Sequence, residues 1–188
     1  KTMQVPKGFN VTLFAGEADI KQPIGFCIDD RGRLWVAEAN NYPDKNAGKK
    51  DRIIILEDTD GDGTHDKRIV FYDKLEYVSG IEVGFGGAWV MSIPNFYFIP
   101  DKDYDGVPDG EPIVLLDGFG IHANAHNIAN GFAWGPDGWL YSTHGRSNWS
   151  LVGKPGTPEA ERRRIDGGVW RYHPARHVWE NFADGTTN

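Results

Sequence analysis

Two short acidic stretches of this 188-residue chain place carboxylates at every second position. Residues 58–66 and 101–109 both read D-x-D-x-D-G-x-x-D. Carboxylates at this spacing converge on one hard cation such as Ca²⁺, and the glycine permits the turn that brings the last ligand around. The predicted ligands are Asp58, Asp60, Asp62 and Asp66 in the first loop and Asp101, Asp103, Asp105 and Asp109 in the second. The pattern predicts two structural calcium loops, and the alternative is a pair of solvated Asp-Gly turns.

A second set of polar side chains has the chemistry to act on a small molecule. His126, His144 and Arg146 flank an aromatic hairpin, and Glu38 occupies the position of His144 in an earlier copy of the same pattern. A histidine base beside an arginine that binds an oxyanion or a carboxylate is a recurring catalytic pair. Three interpretations of the histidines stay open: metal ligands, a general base, or ordinary polar loop residues.

The elements that position these residues come from a repeated sequence pattern. Residues 25–39 align without a gap with residues 131–145, so that Gly25 matches Gly131 and Trp35 matches Tyr141. A third copy at residues 86–90 gives a period of about 53 residues. Each copy has room for four short strands separated by turns, which is the size of a β-propeller blade.

The sequence therefore predicts an all-β fold, a β-propeller of four-stranded antiparallel blades with about three blades present. Blade 1 spans residues 20–76, blade 2 spans 77–120 and blade 3 spans 121–185. Residues 9–14 alternate apolar and polar side chains and are predicted to close the ring as the outer strand of the last blade. Because propellers typically have 4 to 8 blades, we expect the N-terminal part of an incomplete ring. A complete three-bladed unit is the alternative, and it leaves strand edges open.

Blade geometry divides the loops between two faces. In an up-and-down blade, the loop before the first strand and the loop after the second strand open on the same face. The side chains expected on this face are Glu38, Asn40, Asn41, Tyr42, His122, Asn124, His126, Asn127, His144, Arg146 and Asn148. They are predicted to converge at the mouth of the central channel, while the acidic loops lie on the opposite face. The charged stretch 154–164 is predicted to be a solvated insertion or a lid over this mouth.

Composition excludes several classes of partner. The net charge of -7 predicts no nucleic-acid partner, because binding phosphate needs a basic face. The single Cys27 excludes an internal disulfide and does not settle the redox compartment. No apolar run approaches the ~18 residues that span a bilayer, so we expect no membrane insertion by this segment.

The motifs together resemble one known family. The resemblance rests on Gly32-Arg-Leu-Trp-Val-Ala-Glu38, Asn41-Tyr-Pro43, residues 52–63, residues 86–90, Trp134-Gly-Pro-Asp-Gly-Trp-Leu-Tyr141, His144-Gly145 and Val169-Trp-Arg171. These stretches are similar to the propeller domain of a membrane-bound dehydrogenase family abundant in Planctomycetes. That family is in turn similar to the soluble PQQ-dependent glucose and sorbosone dehydrogenases. The resemblance covers nearly the whole chain.

This resemblance implies quinoprotein-like oxidation of a sugar or an alcohol, with calcium and PQQ as cofactors. It implies that His126 is the catalytic base and that Arg146 steadies the developing charge, while Glu38 and His144 orient groups at the channel mouth. Most cofactor-binding Arg and Lys residues of the family lie in later blades.

The resemblance also implies a periplasmic or extracytoplasmic location, with further blades or a c-type haem domain in a full-length chain. The alternative function is a non-catalytic propeller that binds carbohydrate or protein at its channel mouth, with Tyr42, Asn148 and Trp149 as contacts.

Overall fold

Three four-stranded antiparallel sheets make up the computed structural model of the chain. The structure describes residues 3–44, 46–122 and 125–185, and the predicted mouth residue Asn124 lies outside them. The all-β fold and its four-stranded blades are therefore confirmed.

Blade 1 pairs its strands in sequence order. They are β1 (Pro23–Ile28), β2 (Leu34–Glu38), β3 (Asp51–Glu57) and β4 (Lys67–Leu75). The run Ile53-Ile-Ile55 in β3 is fully buried, because blade 2 covers one face of the sheet and residues 14–20 cover the other. A β-branched run of this kind suits a strand that is covered on both faces.

Blade 2 repeats the same order with shorter turns. Its strands are β5 (Val78–Val83), β6 (Gly87–Ser92), β7 (Asn95–Pro100) and β8 (Ile113–Leu116). In the turn between β5 and β6, the two central residues Phe85 and Gly86 are left-handed with φ of 53° and 80°, and the preceding Gly84 also has a positive φ of 147°. Two left-handed residues give the tight hairpin whose twist matches that of the paired strands.

Blade 3 contains an insertion between its second and third strands. The blade consists of β9 (Ala129–Trp134), β10 (Leu140–His144), β13 (Gly168–His173) and β14 (Val178–Asp184). The insertion forms a separate two-stranded sheet of β11 (Ser150–Val152) and β12 (Arg163–Ile165), with a short 3-10 helix at Glu159–Glu161.

The repeat predicted from the sequence appears in the turns. In blade 1 the Gly32 amide donates to the Asp29 carbonyl at 3.0 Å, and in blade 3 the Gly138 amide donates to the Gly135 carbonyl at 3.1 Å. Both closing glycines have a positive φ, 80° and 79°. The aligned sequences thus adopt the same local conformation, which glycine allows at no steric cost.

Two apolar cores lie between neighbouring blades. Trp35, Ile55 and Val90 belong to the core that blades 1 and 2 share. Aromatic rings dominate the core between blades 2 and 3, where Phe96 and Trp170 meet edge to face with centroids 5.3 Å apart. The inner strand β5 contacts both β1 and β9. The three blades are therefore packed side by side in sequence order, with their first strands innermost.

The segment 9–14, predicted as a closing strand, forms no strand in the structure. Phe9 and Leu13 are 68% and 76% exposed. Phe14 accepts a hydrogen bond from the His65 amide at 3.1 Å, so this segment is attached to blade 1 at the first acidic loop. A closing strand needs the blade that it completes, and its role stays a prediction.

The insertion does not lie over the channel mouth. Residues 154–164 are mostly exposed, as predicted, but none of them lines the central cavity. The Arg162 guanidinium pairs with the Asp117 carboxylate, and residue 117 also forms a β-bridge with Gly153. Val152 and Ile165 are buried in the core between blades 2 and 3. The insertion therefore braces these two blades, and the prediction of a lid is wrong.

In the described part of the chain, no helix has the length and apolar character needed to cross a membrane.

Candidate functional site

A cavity of about 700 Å³ lies where the three inner strands meet. Its lining combines apolar side chains from β1 and β9 with polar groups at its rim. Apolar walls with a few placed polar groups are the usual composition of a small-molecule site. The polar side chains are Gln22, Tyr42, Ser79, His126 and Asn130.

Each inner strand has a β-bulge at the same place beside this cavity. Ile24 in β1, Ser79 in β5 and Gly131 in β9 are the extra residues of the three bulges. A Cβ on the neighbouring Gly80 would lie 3.1 Å from the Gly131 nitrogen. The glycine therefore allows two inner strands to approach closely, and the bulges turn their ends around the cavity.

His126 is exposed at the rim of the cavity, in the segment that leads into β9. Its Nδ1 is hydrogen-bonded to the hydroxyl of Tyr42, which follows β2 in blade 1. The two rings meet nearly edge to face, with centroids 5.7 Å apart. The predicted base thus lies at the predicted channel mouth, where its ring contacts Tyr42.

His144 is buried with no exposed surface. Its Nδ1 lies 2.8 Å from the Gly145 carbonyl oxygen, and its Nε2 lies 2.7 Å from the Ser150 hydroxyl. A carbonyl oxygen only accepts, so Nδ1 carries the proton and Nε2 accepts from the hydroxyl. Burial lowers the pKa of His144 below its ordinary value. The ring is therefore neutral, and it holds the loop after β10 in place.

Glu38 is likewise buried and fully engaged by its neighbours. Its carboxylate pairs with the Arg52 guanidinium, lies 3.6 Å from that of Arg68 and accepts a hydrogen bond from the Lys21 amide at 2.7 Å. These contacts join the segment before β1 to the two outer strands. Glu38 can therefore shape the channel mouth only through the backbone that it anchors.

Arg146 is exposed on the turn after β10. The neighbouring Asn148 is buried, accepts a hydrogen bond from the His122 amide at 2.6 Å and donates one to the Asn127 carbonyl at 2.9 Å. It thus ties the turn of Arg146 to the segment that contains His126. Its Asn-x-Ser sequence gives no indication of this role.

Asp51 is a buried carboxylate that the sequence did not single out. It accepts hydrogen bonds from the amides of Asn41 and Val78, each at 2.8 Å, and burial raises its pKa. It therefore connects the segment of Tyr42 to the first strand of blade 2. An isolated Asp at the start of an apolar strand is the only sequence signal for it.

The first acidic loop brings together three of its four predicted ligands. One oxygen each of Asp58, Asp60 and Asp66 lies within 4.8 Å of the others. Both oxygens of Asp58 accept backbone hydrogen bonds, from Gly63 at 2.8 Å and from Gly61 at 2.7 Å, and these bonds lower its pKa. The carboxylate of the fourth ligand, Asp62, instead accepts from the Thr64 amide.

The second acidic loop has the same geometry in a more buried setting. Oxygens of Asp101, Asp103 and Asp109 lie within 4.8 Å of one another, while Asp105 accepts from the Val107 amide at 2.7 Å. Asp101 is only 1% exposed, and burial raises its pKa. Its Oδ1 has no hydrogen-bond partner among the described residues. Both clusters can hold a divalent cation through three carboxylates.

Comparison with known proteins adds a family and one structural likeness. No curated protein matches the sequence. Among solved structures, the PQQ-bound form of aldose sugar dehydrogenase from Streptomyces coelicolor is similar with a TM-score of 0.42 and 16% identity. The match covers 80% of this chain and 44% of that protein, so this chain spans less than half of its length. A family model described as Domain of unknown function (DUF7133) matches residues 1–188, and the chain therefore belongs to the DUF7133 family.

Proposed function

We propose that this chain is part of a calcium-stabilised propeller dehydrogenase that oxidises a sugar or an alcohol, with the substrate hydroxyl held in the central cavity. His126 is the general base in this proposal. The observation that carries it is the exposed imidazole of His126 at the cavity rim, with a hydrogen bond between its Nδ1 and the Tyr42 hydroxyl. The reaction class comes from the resemblance of the motifs to quinoprotein dehydrogenases.

The direction of the Tyr42 to His126 hydrogen bond decides what the imidazole can do. If Nδ1–H donates to the Tyr42 oxygen, Nε2 has the lone pair that accepts a proton from the substrate hydroxyl. If the Tyr42 hydroxyl donates to Nδ1, Nε2 carries a proton and donates to the substrate oxygen instead. Proton removal requires the first tautomer, whereas binding alone is compatible with the second.

The other predicted site residues act around this pair in the proposal. His144 and Glu38 are buried, so they position the mouth loops without touching the substrate. Arg146 is exposed on the turn that Asn148 connects to the His126 segment but does not line the cavity. Its proposed role, steadying negative charge on the substrate oxygen, requires its side chain to turn toward the rim.

The described lining of the cavity does not form a PQQ site by itself. PQQ is a quinone that accepts the hydride and carries three carboxylates, which need cationic partners when they leave water. None of the described lining residues is Lys or Arg. The cationic residues of such a site would therefore have to come from outside this lining, in line with their place in later blades of the resembling family. An extracytoplasmic location belongs to the same proposal.

The same uncharged lining favours a second function, a propeller that binds a neutral carbohydrate without chemistry. The contacts of such a module differ from those that the sequence suggested. Asn148 is buried, and Trp149 is stacked against His122 with ring centroids 4.4 Å apart. Binding would therefore use the polar side chains of the lining that are not buried, which include Gln22, Tyr42 and Asn130.

Binding and turnover are measured separately to distinguish these functions. A panel of neutral sugars and alcohols is titrated into the isotope-labelled chain, and amide shifts of β1, β5 and β9 report binding. Dye reduction is then measured on the full-length protein with added PQQ and Ca²⁺, because the cationic partners of PQQ lie outside this lining. The dehydrogenase proposal expects His126→Gln to retain binding and to lose turnover by about 10²-fold or more.

The matched control is His177→Asn, which removes a second Tyr-His hydrogen bond, that of Tyr172 with His177 at 3.2 Å. It should change neither quantity, because His177 does not line the cavity. Ligand binding without turnover in the full-length wild-type protein selects the binding module. Shifts outside the inner strands, or equal effects of the two histidine substitutions, contradict both functions.

A further inference from the structure

The second acidic loop lies against blade 1 although it belongs to blade 2. The Arg31 guanidinium, in the turn between β1 and β2, donates to the Tyr104 carbonyl at 2.8 Å and lies over the Tyr104 ring. A Cβ on Gly106 would lie 3.1 Å from the Ile55 side chain and 3.2 Å from that of Ile69. The loop therefore contacts blade 1 both through the Tyr104 carbonyl and through Gly106.

Asp101 is the anomalous carboxylate of this loop. It is 1% exposed, its Oδ2 accepts one long hydrogen bond from the Gly106 amide at 3.3 Å, and its Oδ1 has no hydrogen-bond partner among the described residues. A buried carboxylate oxygen without a partner is strongly unfavourable. Asp101 is also one of the three residues whose oxygens cluster within 4.8 Å, and a cation there would supply the missing partner.

In the first loop, the equivalent residue Asp58 has hydrogen-bond partners for both carboxylate oxygens. Asp58 Oδ1 accepts from two amides, those of Gly61 at 2.7 Å and Asp62 at 3.2 Å, and its Oδ2 accepts from the Gly63 amide at 2.8 Å. The two loops share a sequence pattern but differ in how far the protein itself satisfies the first carboxylate. The second loop therefore gains more from a cation.

Arg33, a buried positive side chain close to this loop, is already paired with a carboxylate. Arg33 is buried next to Gly106, and its Nε donates to Asp29 Oδ2 at 2.7 Å. Its NH2 has no hydrogen-bond partner in the described part of the chain. The direct alternative to a metal is thus a bond between this guanidinium and the orphaned Asp101 oxygen.

We propose that Asp101, Asp103 and Asp109 bind one Ca²⁺ that locks blade 2 onto blade 1, and that this loop, rather than residues 58–66, dominates the stabilisation of the chain by calcium. The inference deepens the calcium part of the proposed function and is independent of its oxidoreductase part. The cation fixes the conformation of residues 101–109, and the loop then holds the turn of Arg31 through the contacts to Tyr104 and Gly106.

The test uses thermal unfolding and calorimetric titration of the chain with Ca²⁺ alone, with Mg²⁺ as a control ion. Saturating Ca²⁺ should raise the Tm by ~5 °C or more, and Mg²⁺ should raise it less because it keeps its waters. Asp101→Asn should lower the calcium affinity of the tighter site at least ~10-fold and remove most of this rise, since a carboxylate ligand is replaced by an amide. In EDTA, Asp101→Asn should leave the Tm unchanged or raise it, because a bare buried charge has been removed.

The matched variant is Asp58→Asn, at the same position of the first loop. It should retain more than half of the calcium-induced rise in Tm and lower the Tm to a similar extent with and without Ca²⁺. If the bound Ca²⁺ locks blade 2 onto blade 1, it should slow amide hydrogen exchange in residues 29–33 as well as in 102–107. Asp101→Asn should abolish both effects.

Several results would overturn the inference. If Asp101→Asn keeps the wild-type calcium response, or if Asp58→Asn abolishes that response, the dominant site is elsewhere. If Asp101→Asn lowers the Tm in EDTA as strongly as in Ca²⁺, Asp101 is a partner of Arg33 and not a metal ligand. Exchange protection by Ca²⁺ that is confined to residues 102–107 contradicts the locking of blade 2 onto blade 1. Absent dye reduction bears only on the oxidoreductase proposal.

Discussion

The hydroxyl of Tyr42 and the Nδ1 of His126 are hydrogen-bonded although they are separated by 84 positions in the sequence. Tyr42 lies after the second strand of blade 1, and His126 lies before the first strand of blade 3. The bond spans the rim of the central cavity, past the first strand of blade 2. It joins the outer two of the three blades at the place where a ligand would enter.

Tyr42→Phe should remove the hydroxyl contact to the His126 ring without unfolding the chain. One hydrogen bond at an exposed rim contributes about 1 kcal/mol, so the loss of stability should be of this size. The imidazole ¹⁵N shifts of His126 should change from one dominant tautomer toward a mixture. Tyr172→Phe is the control and should alter only the shifts of His177. Unchanged His126 shifts in Tyr42→Phe would show that the hydroxyl does not orient the ring.

His144 should make the stability of the chain sensitive to acid. Its pKa is lowered by burial, so the unfolded state binds a proton more readily than the folded state. Stability is therefore present above the usual histidine pKa of about 6.5 and is lost as the pH falls below it, by up to about 1.4 kcal/mol per pH unit.

Urea denaturation of wild type and His144→Gln between pH 7.5 and pH 5 measures this effect. The glutamine side chain can still accept from the Ser150 hydroxyl but does not titrate. The variant should lose less stability on acidification than the wild type does. Parallel curves for the two proteins would contradict the assignment of the neutral buried ring.

Glu38→Gln should destabilise the fold by about 2–3 kcal/mol. The substitution replaces a buried carboxylate with a neutral amide, so Arg52 and Arg68 lose the negative charge that they pair with. The comparison is Glu57→Gln, which breaks a partly exposed pair with Lys67 at 2.9 Å and should cost no more than about 1 kcal/mol. Chemical denaturation gives both values. A loss of ligand binding in Glu38→Gln at temperatures where it remains folded would show that Glu38 does more than anchor the backbone.

Gly80→Ala tests the close approach of the inner strands. The new methyl group would lie 3.1 Å from the Gly131 nitrogen and 3.2 Å from the Phe132 ring, so the strands must separate. We expect a loss of about 1–3 kcal/mol and a changed cavity. Gly110→Ala is the control, since its methyl group meets only Pro100 at 3.8 Å, and its effect should stay within about 0.5 kcal/mol. Equal thermal shifts for the two variants would contradict the tight strand contact.

Local pattern was sufficient to predict the strands and turns. Each of the three blades consists of four short strands, as the repeat predicts, because alternating or β-branched apolar runs between Gly-rich turns suit few other structures. The two acidic loops fold alike for the same reason, since their hydrogen bonds form within nine residues. Residues 9–14 show the limit of this reasoning, because alternation becomes a strand only when a neighbouring edge is available.

The sequence by itself therefore determined the four-stranded blade, its repeat, the acidic loops and the position of His126 before the first strand of blade 3. Only the tertiary structure decided which polar side chains face the cavity. His126 is exposed beside Tyr42, whereas His144 and Glu38 are buried and bonded to Ser150 and Arg52. The physical reason is that local spacing sets the conformation of a strand end, but burial and hydrogen-bond partners depend on segments brought together by the packing of one blade against the next.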